Sequence, residues 1–284
     1  MQCIRPWYYE KVDKWLPCQK CNFCIQNKAL DWAFRLCWEQ KVSYTSKFVT
    51  LTYADEYLPI EYATGEGTFS LDDLQKFHKR LRKANEKYRR VNKTPETVPR
   101  IRYYQSSEYG GLNGRPHYHL ILFNCEPQTI GDLPKIWPIG NVDVGGVTGN
   151  SIGYVCGYHL NSIDTYPGRK KPFATMSRKG GIGKNYINSN LKWHKDLDHP
   201  DENKFYVLDN GHVRRMPRFY KTKIFTKEEI EESEMTFQQQ EEIRAKNLYE
   251  AGKYHANPES YYQTMVQYMH DQIAINWKRK KQHL

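Results

Sequence analysis

Two β-rich runs joined by a glycine-rich link constrain this chain most. Residues 100–110, RIRYYQSSEYG, and residues 117–125, HYHLILFNC, each have strand length and strand composition. The link between them contains GGLNG, and Gly and Asn tolerate the positive φ that tight turns need. The pair is predicted to form an antiparallel hairpin. Side chains alternate between the two faces of a strand, so His117 and His119 project to one side. Glu108, at the end of the first run, is expected close to both.

Other segments fill in around this hairpin. SKFVTLTYA (46–54) reads as a buried strand and WPIGNVDVGGV (137–147) as a further short one. NKALDWAFRLCWEQKV (27–42) reads as a helix with Ala29, Trp32, Ala33, Leu36 and Cys37 on one stripe. In TFSLDDLQKFHKRLRKANEKYRR (68–90), Ser70 caps a helix, Asp72 and Asp73 occupy its first turn, and Leu71, Leu74, Phe77 and Leu81 form the inward face. NSIGYVCGYHL (150–160) reads as a helix capped by Asn150 or Ser151. Asp209-Asn210-Gly211 signals a second hairpin, and T-x-x-E at Thr226–Glu229 is a capping box opening a long polar helix. The chain ends on the basic tail NWKRKKQHL.

Strands and helices do not alternate strictly, so the expected class is α+β: a central antiparallel sheet with FVTLTY and HYHLILF adjacent, flanked by helices. The expected organisation is a cysteine-rich segment (1–25), a central domain (26–220) and a helical C-terminal extension (221–284).

The formal net charge is +11, aromatics make up 14% of the residues, and 22 of the residues are tyrosines. Cations meet phosphates and flat rings meet unstacked bases, so this composition points to nucleic acid. No apolar run approaches the roughly 20 residues a membrane span needs, and the N-terminus lacks a secretory apolar region. The expectation is a cytosolic chain with reduced thiols, whose seven cysteines are no disulfide framework. The second helix carries Lys76, Lys79, Arg80, Lys83, Lys87 and Arg90, either as a solvated face or as phosphate contacts; Lys79 and Arg80 are taken as DNA-binding candidates, with Arg115 beside the histidines.

Three groupings have chemical content. His117 and His119 are a chelating pair for a divalent ion, with Glu108 as the third ligand; packing histidines are the bland alternative. Tyr154 and Tyr158, at i and i+4, share a helix face, as a core stripe or as nucleophiles toward a phosphodiester. Cys18, Cys21 and Cys24 follow C-x-x-C-x-x-C, and Cys3 can complete a tetrahedral set for a structural zinc; Cys37, Cys125 and Cys156 read as small core residues. SRKGGIGKNY (177–186) fails the P-loop spacing, because Asn185 follows Gly183-Lys184, so no ATPase is expected; Lys179 and Lys184 are phosphate-contact candidates.

The order FVTLTY, SSEYG…NGRPHYHLILF, Tyr-x-x-x-Tyr, MSRKGGIGKNY, preceded by PCQKCNFCIQNKALDWAFRLCWE, resembles the replication initiators of gokushovirus-type microviruses, members of the HUH endonuclease superfamily. The match in motif order covers about residues 1–190. The resemblance implies an HUH-like fold with His117 and His119 as metal ligands, Glu108 as a third, and Tyr154 and Tyr158 as nucleophiles. It implies rolling-circle initiation with Mg²⁺ or Mn²⁺. The 5′-phosphotyrosine link would form on single-stranded DNA at the phage origin. Host helicase and polymerase would be partners, and the bacterial cytoplasm the location. One departure concerns the phosphate: the family pattern carries a lysine three residues after each tyrosine, where this chain has Gly157 and Asn161. Lys170, Lys171, Arg178, Lys179 or Lys184 are the substitutes at hand. Two other readings compete. A non-catalytic, zinc-containing nucleic-acid-binding regulator explains charge and cysteines but not the paired histidines and tyrosines. A histidine-based nucleotide hydrolase lacks a nucleotide pocket in the sequence.

Overall fold

In a computed structural model, residues 3, 7–12, 14–110, 114–158, 167–196, 206–209, 212–231 and 264 are described. Their contacts gather into two units, residues 29–189 and residues 1–28 with 190–284.

The first unit is built on an antiparallel five-stranded sheet, so the class is α+β. Its strands are β3 (Ser46–Thr52), β4 (Arg102–Tyr109), β5 (Pro116–Phe123), β6 (Val142–Gly146) and β7 (Ala174–Met176), in the order β6-β3-β5-β4-β7. The hairpin predicted from the two β-rich runs forms, and FVTLTY lies next to HYHLILF as expected. β5 is central, pairing Thr50 with His119 on one side and Ser106 with His119 on the other. All but His117 of its eight residues are buried.

Alternation sorts the sheet into two faces. Val49, Leu51, Tyr53, Tyr109, Tyr118, Leu120 and Leu122 point to the side covered by helix α2 (Leu71–Val91), where Leu74, Phe77, Leu81 and Trp137 complete the main core. Ser70 caps α2 as predicted, accepting from the Asp73 amide at 3.2 Å. The inward face is corrected at one position: Leu71 is 52% exposed, because it sits at the helix start beyond the sheet, while His78 and Asn85 are buried instead. Burial pushes His78 down to about 4, opposed by its hydrogen bond to Gln105 Oε1 at 2.9 Å.

The opposite face bears Phe48, Thr50, Tyr104, Ser106, Glu108, His117 and His119. Helix α1 (Asn22–Lys41) and helix α5 (Gly149–Tyr158) pack here, α1 through Trp32, whose ring centroid lies 4.8 Å from that of Tyr104. Between β5 and β6 run the short helices α3 (Pro127–Gly131) and α4 (Leu133–Ile136). The chain then returns past β3 so closely that a Cβ on Gly140 would sit 1.8 Å from the Thr52 carbonyl oxygen. That carbonyl accepts from Trp137 Nε1 at 2.8 Å.

α5 is capped neither by Asn150 nor by Ser151 in the way expected. Thr148 Oγ1 accepts from the Ser151 amide at 3.2 Å and Ser151 Oγ accepts from the Thr148 amide at 2.8 Å, a reciprocal box that starts earlier in the chain.

In the other unit, β1 (Trp7–Tyr9) and β2 (Lys14–Leu16) form a small hairpin. Helix α6 (Asn185–His194) runs across the boundary between the two groups of residues. β8 (Tyr206–Asp209) pairs with β9 (His212–Arg215), the partners expected on either side of Asn210-Gly211, and helix α7 (Arg218–Ile224) follows. The capping box closes: the Thr226 amide donates to Glu229 Oε2 at 2.7 Å and the Glu229 amide to Thr226 Oγ1 at 3.2 Å. The rest of the expected C-terminal helix and the basic tail lie outside the described residues. Among the described residues no helix is long and apolar enough to cross a membrane.

Candidate active site on the central strand

The site is assembled by register. Glu108 on β4 stands directly opposite His117 on β5, and Thr52 opposes His117 from β3. Residues opposite one another across a ladder share a face, so two imidazoles, a carboxylate and a row of threonine hydroxyls converge where sequence spacing placed only the histidines. His119 Nε2 lies 3.3 Å from Glu108 Oε2, and His119 Nδ1 is hydrogen-bonded to Thr50 Oγ1 at 3.1 Å. The Phe48 ring stacks parallel to His119 at 5.8 Å. Buried, with no hydrogen-bond partner for its hydroxyl among the described residues, Ser106 adds a further polar atom on the His119 face. Thr50, Phe48 and Ser106 were missed by the sequence reading; the i, i+2 spacing of Phe48, Thr50 and Thr52 was the available signal.

His117 is half-exposed at the mouth. Its ring is parallel to that of His119 with centroids 6.4 Å apart. Burial and the neighbouring His119 push His117 below the ordinary histidine value, against a hydrogen bond to the Arg115 carbonyl. That bond fixes which ring nitrogen faces outward. His119 and Glu108 are thus brought together, whereas His117 stays outside a compact triad. Among the described residues, the four cysteine sulfurs of Cys3, Cys18, Cys21 and Cys24 are the set of three or more such ligand atoms that lie within 4.8 Å of one another.

Tyr154 is half-buried on α5, above the same strand. Its ring meets His119 edge-on at 5.2 Å and Phe48 at 6.1 Å. Tyr158 is the last residue of α5, one turn on. Gly157, where the family pattern has a lysine, is buried; Asn161 lies outside the described residues.

The candidate cations are dispersed. Arg115 Nη2 donates to the Tyr53 carbonyl at 2.8 Å and its Nη1 pairs with Asp55. Lys79 is exposed on α2, across the sheet from His119, and Arg80 beside it donates to the Ile136 carbonyl at 2.8 Å. Lys179 and Lys184 are exposed in the glycine-rich loop. That loop packs on α1: the Gly183 amide donates to Glu39 Oε2 at 2.7 Å and the Ile182 carbonyl accepts from Arg35 Nε at 3.0 Å. Positive φ at Gly180, Gly181 and Gly183 gives its glycines a structural use.

Residues 46–162, which contain β3, both histidines and α5, match the family model of the replication-associated protein ORF2. This match places the chain among the phage replication-associated proteins. Over 288 residues it is 29% identical to Replication-associated protein VP4 of Bdellovibrio phage phiMH2K, covering 88% of this chain and 85% of that one. It is 26% identical to Replication-associated protein ORF2 of Spiroplasma virus 4, over 74% of this chain and 67% of that one. To Replication-associated protein ORF4 of Chlamydia phage 1 it is 26% identical, over 72% of this chain and 52% of that one. No solved structure matches the chain significantly.

Proposed function

We propose that this replication-associated protein is an HUH-type nickase and strand transferase that initiates rolling-circle replication on single-stranded origin DNA. The observation that carries the reading is the seating of Tyr154 against His119, with Glu108 on the other side of the same imidazole.

The donor set suits a divalent ion such as Mg²⁺ or Mn²⁺. Ligands about 2.1 Å from an octahedral ion sit about 3.0 Å apart, close to the 3.3 Å between His119 and Glu108. His117 would complete the set by turning its ring inward. When bound there, the ion would supply positive charge to the scissile phosphate. Tyr154 Oη would attack phosphorus; the P–O3′ bond would break, the phenolic proton would pass to solvent, and the leaving 3′ oxygen would take up a proton. The product is a 5′-phosphotyrosine with a free 3′-OH for a host polymerase. One ester replaces another, so no ATP is consumed, and attack by a 3′-OH reseals the strand. Tyr158 would serve the second transfer. Arg115, Lys179 and Lys184 would contact phosphates; a strand reaching Lys79 and Arg80 would have to wrap to the opposite face. Host helicase and polymerase would be its partners in the bacterial cytoplasm.

The test mixes labelled single-stranded origin fragments with the full chain, with Mg²⁺ or Mn²⁺ and with EDTA, on a denaturing protein gel. A metal-dependent covalent band, reduced in Tyr154→Phe and abolished in the Tyr154→Phe/Tyr158→Phe pair while DNA binding persists, is the expected result. Binding without a covalent band on any fragment of the cognate genome would leave a DNA-binding regulator.

A further inference from the structure

The cysteines at the start of the chain form a second constellation with no part in the reading above. Cys3 precedes β1, Cys18 follows β2, and Cys21 and Cys24 lie at the start of α1. Sequence alone left three thiols in one short run and a fourth far off. The β1–β2 hairpin resolves this, because its antiparallel pairing returns the chain and sets Cys18 beside Cys3: the Cys18 amide donates to Cys3 Sγ at 3.2 Å.

We propose that Cys3, Cys18, Cys21 and Cys24 hold one structural zinc ion that fastens the N-terminal hairpin to the first turn of α1. The distances fit a single tetrahedral ion. Zinc–sulfur bonds of about 2.3 Å put tetrahedral sulfurs about 3.8 Å apart. Cys18 Sγ and Cys24 Sγ are 4.0 Å apart, and Cys21 Sγ and Cys3 Sγ 3.9 Å. These separations are nearly twice the roughly 2.05 Å of a disulfide, and all seven cysteines are free. Sulfurs this close also leave no room for a cluster of several metals. Four protein ligands close the coordination shell, which marks a structural rather than a catalytic zinc.

The surroundings suit thiolates. The Lys20 and Cys21 amides point at Cys18 Sγ at 3.5 and 3.3 Å, and these donors offset the charge of four thiolates around a dication. Gln19 makes that turn possible by adopting φ 60°, a conformation uncommon for a residue with a side chain. The Ile25 amide donates to the Cys21 carbonyl at 3.0 Å, so the ligand loop passes straight into the helix.

The hairpin needs such a fastening. Its strands are three residues each, Trp7 and Tyr8 are 48% and 43% exposed, and a lone two-stranded hairpin is marginal in water. Zinc binding supplies folding energy directly, with the four thiol protons released to solvent. This site is chemically distinct from the histidine site, whose nitrogen and oxygen ligands suit harder ions.

The full chain, purified without chelator, is analysed for metals by mass spectrometry. About one zinc per chain is expected, retained in a His117→Ala/His119→Ala variant and reduced to background in Cys18→Ser/Cys21→Ser. Because the cysteine variant can fail to fold, the wild-type chain is also refolded with Co²⁺, where thiolate-to-cobalt charge transfer with tetrahedral ligand-field bands is expected. Iron in place of zinc, a metal-free chain with all thiols reactive in the native state, or a cobalt spectrum of oxygen and nitrogen ligation would overturn the proposal. None of these outcomes bears on the tyrosine adduct, so this proposal and the nicking reading fail separately.

Discussion

Thr50→Val is the sharpest probe of the histidine site. The substitution keeps the shape of the side chain and removes the hydroxyl that holds His119 Nδ1 at 3.1 Å. With an ion on Nε2, Nδ1 carries the proton and donates to Thr50; the hydroxyl therefore selects the tautomer that leaves Nε2 free to ligate. His119 is only 7% exposed, so water cannot easily replace the lost partner. An unpaired buried donor costs about 1–3 kcal/mol. Outer-shell partners of metal-binding histidines change affinity by about 10–100-fold, which at about 1.4 kcal/mol per decade is the same range. The prediction is thus a fall in Mn²⁺ affinity of about 10–100-fold, with the ion-free fold losing about 1 kcal/mol. Calorimetric titration of the full chain with Mn²⁺ measures the first and urea unfolding the second. Thr50→Ser should recover most of the affinity. Mn²⁺ binding within about twofold of wild type in Thr50→Val, or a Thr50→Ser variant as weak as Thr50→Val, would refute the argument, since both outcomes mean the hydroxyl does not position the ring.

Two further perturbations follow from the geometry. A Cβ on Gly110 would lie 2.8 Å from His117 Cε1 and 3.2 Å from Nδ1, so Gly110→Ala should displace that imidazole and raise the Mn²⁺ concentration needed for half-maximal cleavage about tenfold or more, with little change in melting temperature; an unaltered metal requirement would show His117 to be a bystander. His78 is held neutral by burial, its value lowered from 6.5 to about 4, so its contribution is complete above pH 6.5 and is lost as pH falls toward 4, by about 3 kcal/mol at most; chemical denaturation at pH 7 and pH 4.5 should show this slope, and His78→Gln should flatten it.

The strands were legible because hydrophobic alternation and turn residues are local signals. The same holds for Ser70 at α2 and for Thr226–Glu229, where cap and partner are three residues apart. What joined the site was not local. Glu108 and Thr50 reach His119 from two different strands, and only the pairing register tells which residue of each strand faces it. The cap of α5 was misplaced because Thr148, Asn150 and Ser151 are all good caps, and the choice depends on where β6 releases the chain. The glycine-rich loop misled in another way: its basic residues suggested a phosphate cradle, yet Gly183 spends its amide on Glu39, a buried carboxylate that also pairs with Arg102 at 3.0 Å.

The central place of β5 bears on how such a protein can change. A strand hydrogen-bonded along both edges and buried on both faces exchanges its amide protons only when the whole sheet opens. Few of its positions accept a new side chain without loss of fold. The outer strands β6 and β7, each paired along a single edge, carry no such burden. Altered sequence preference, by selection or by engineering, is therefore easiest to introduce at the margins of the sheet and in the loops beyond them, while the two imidazoles stay where the ladder holds them.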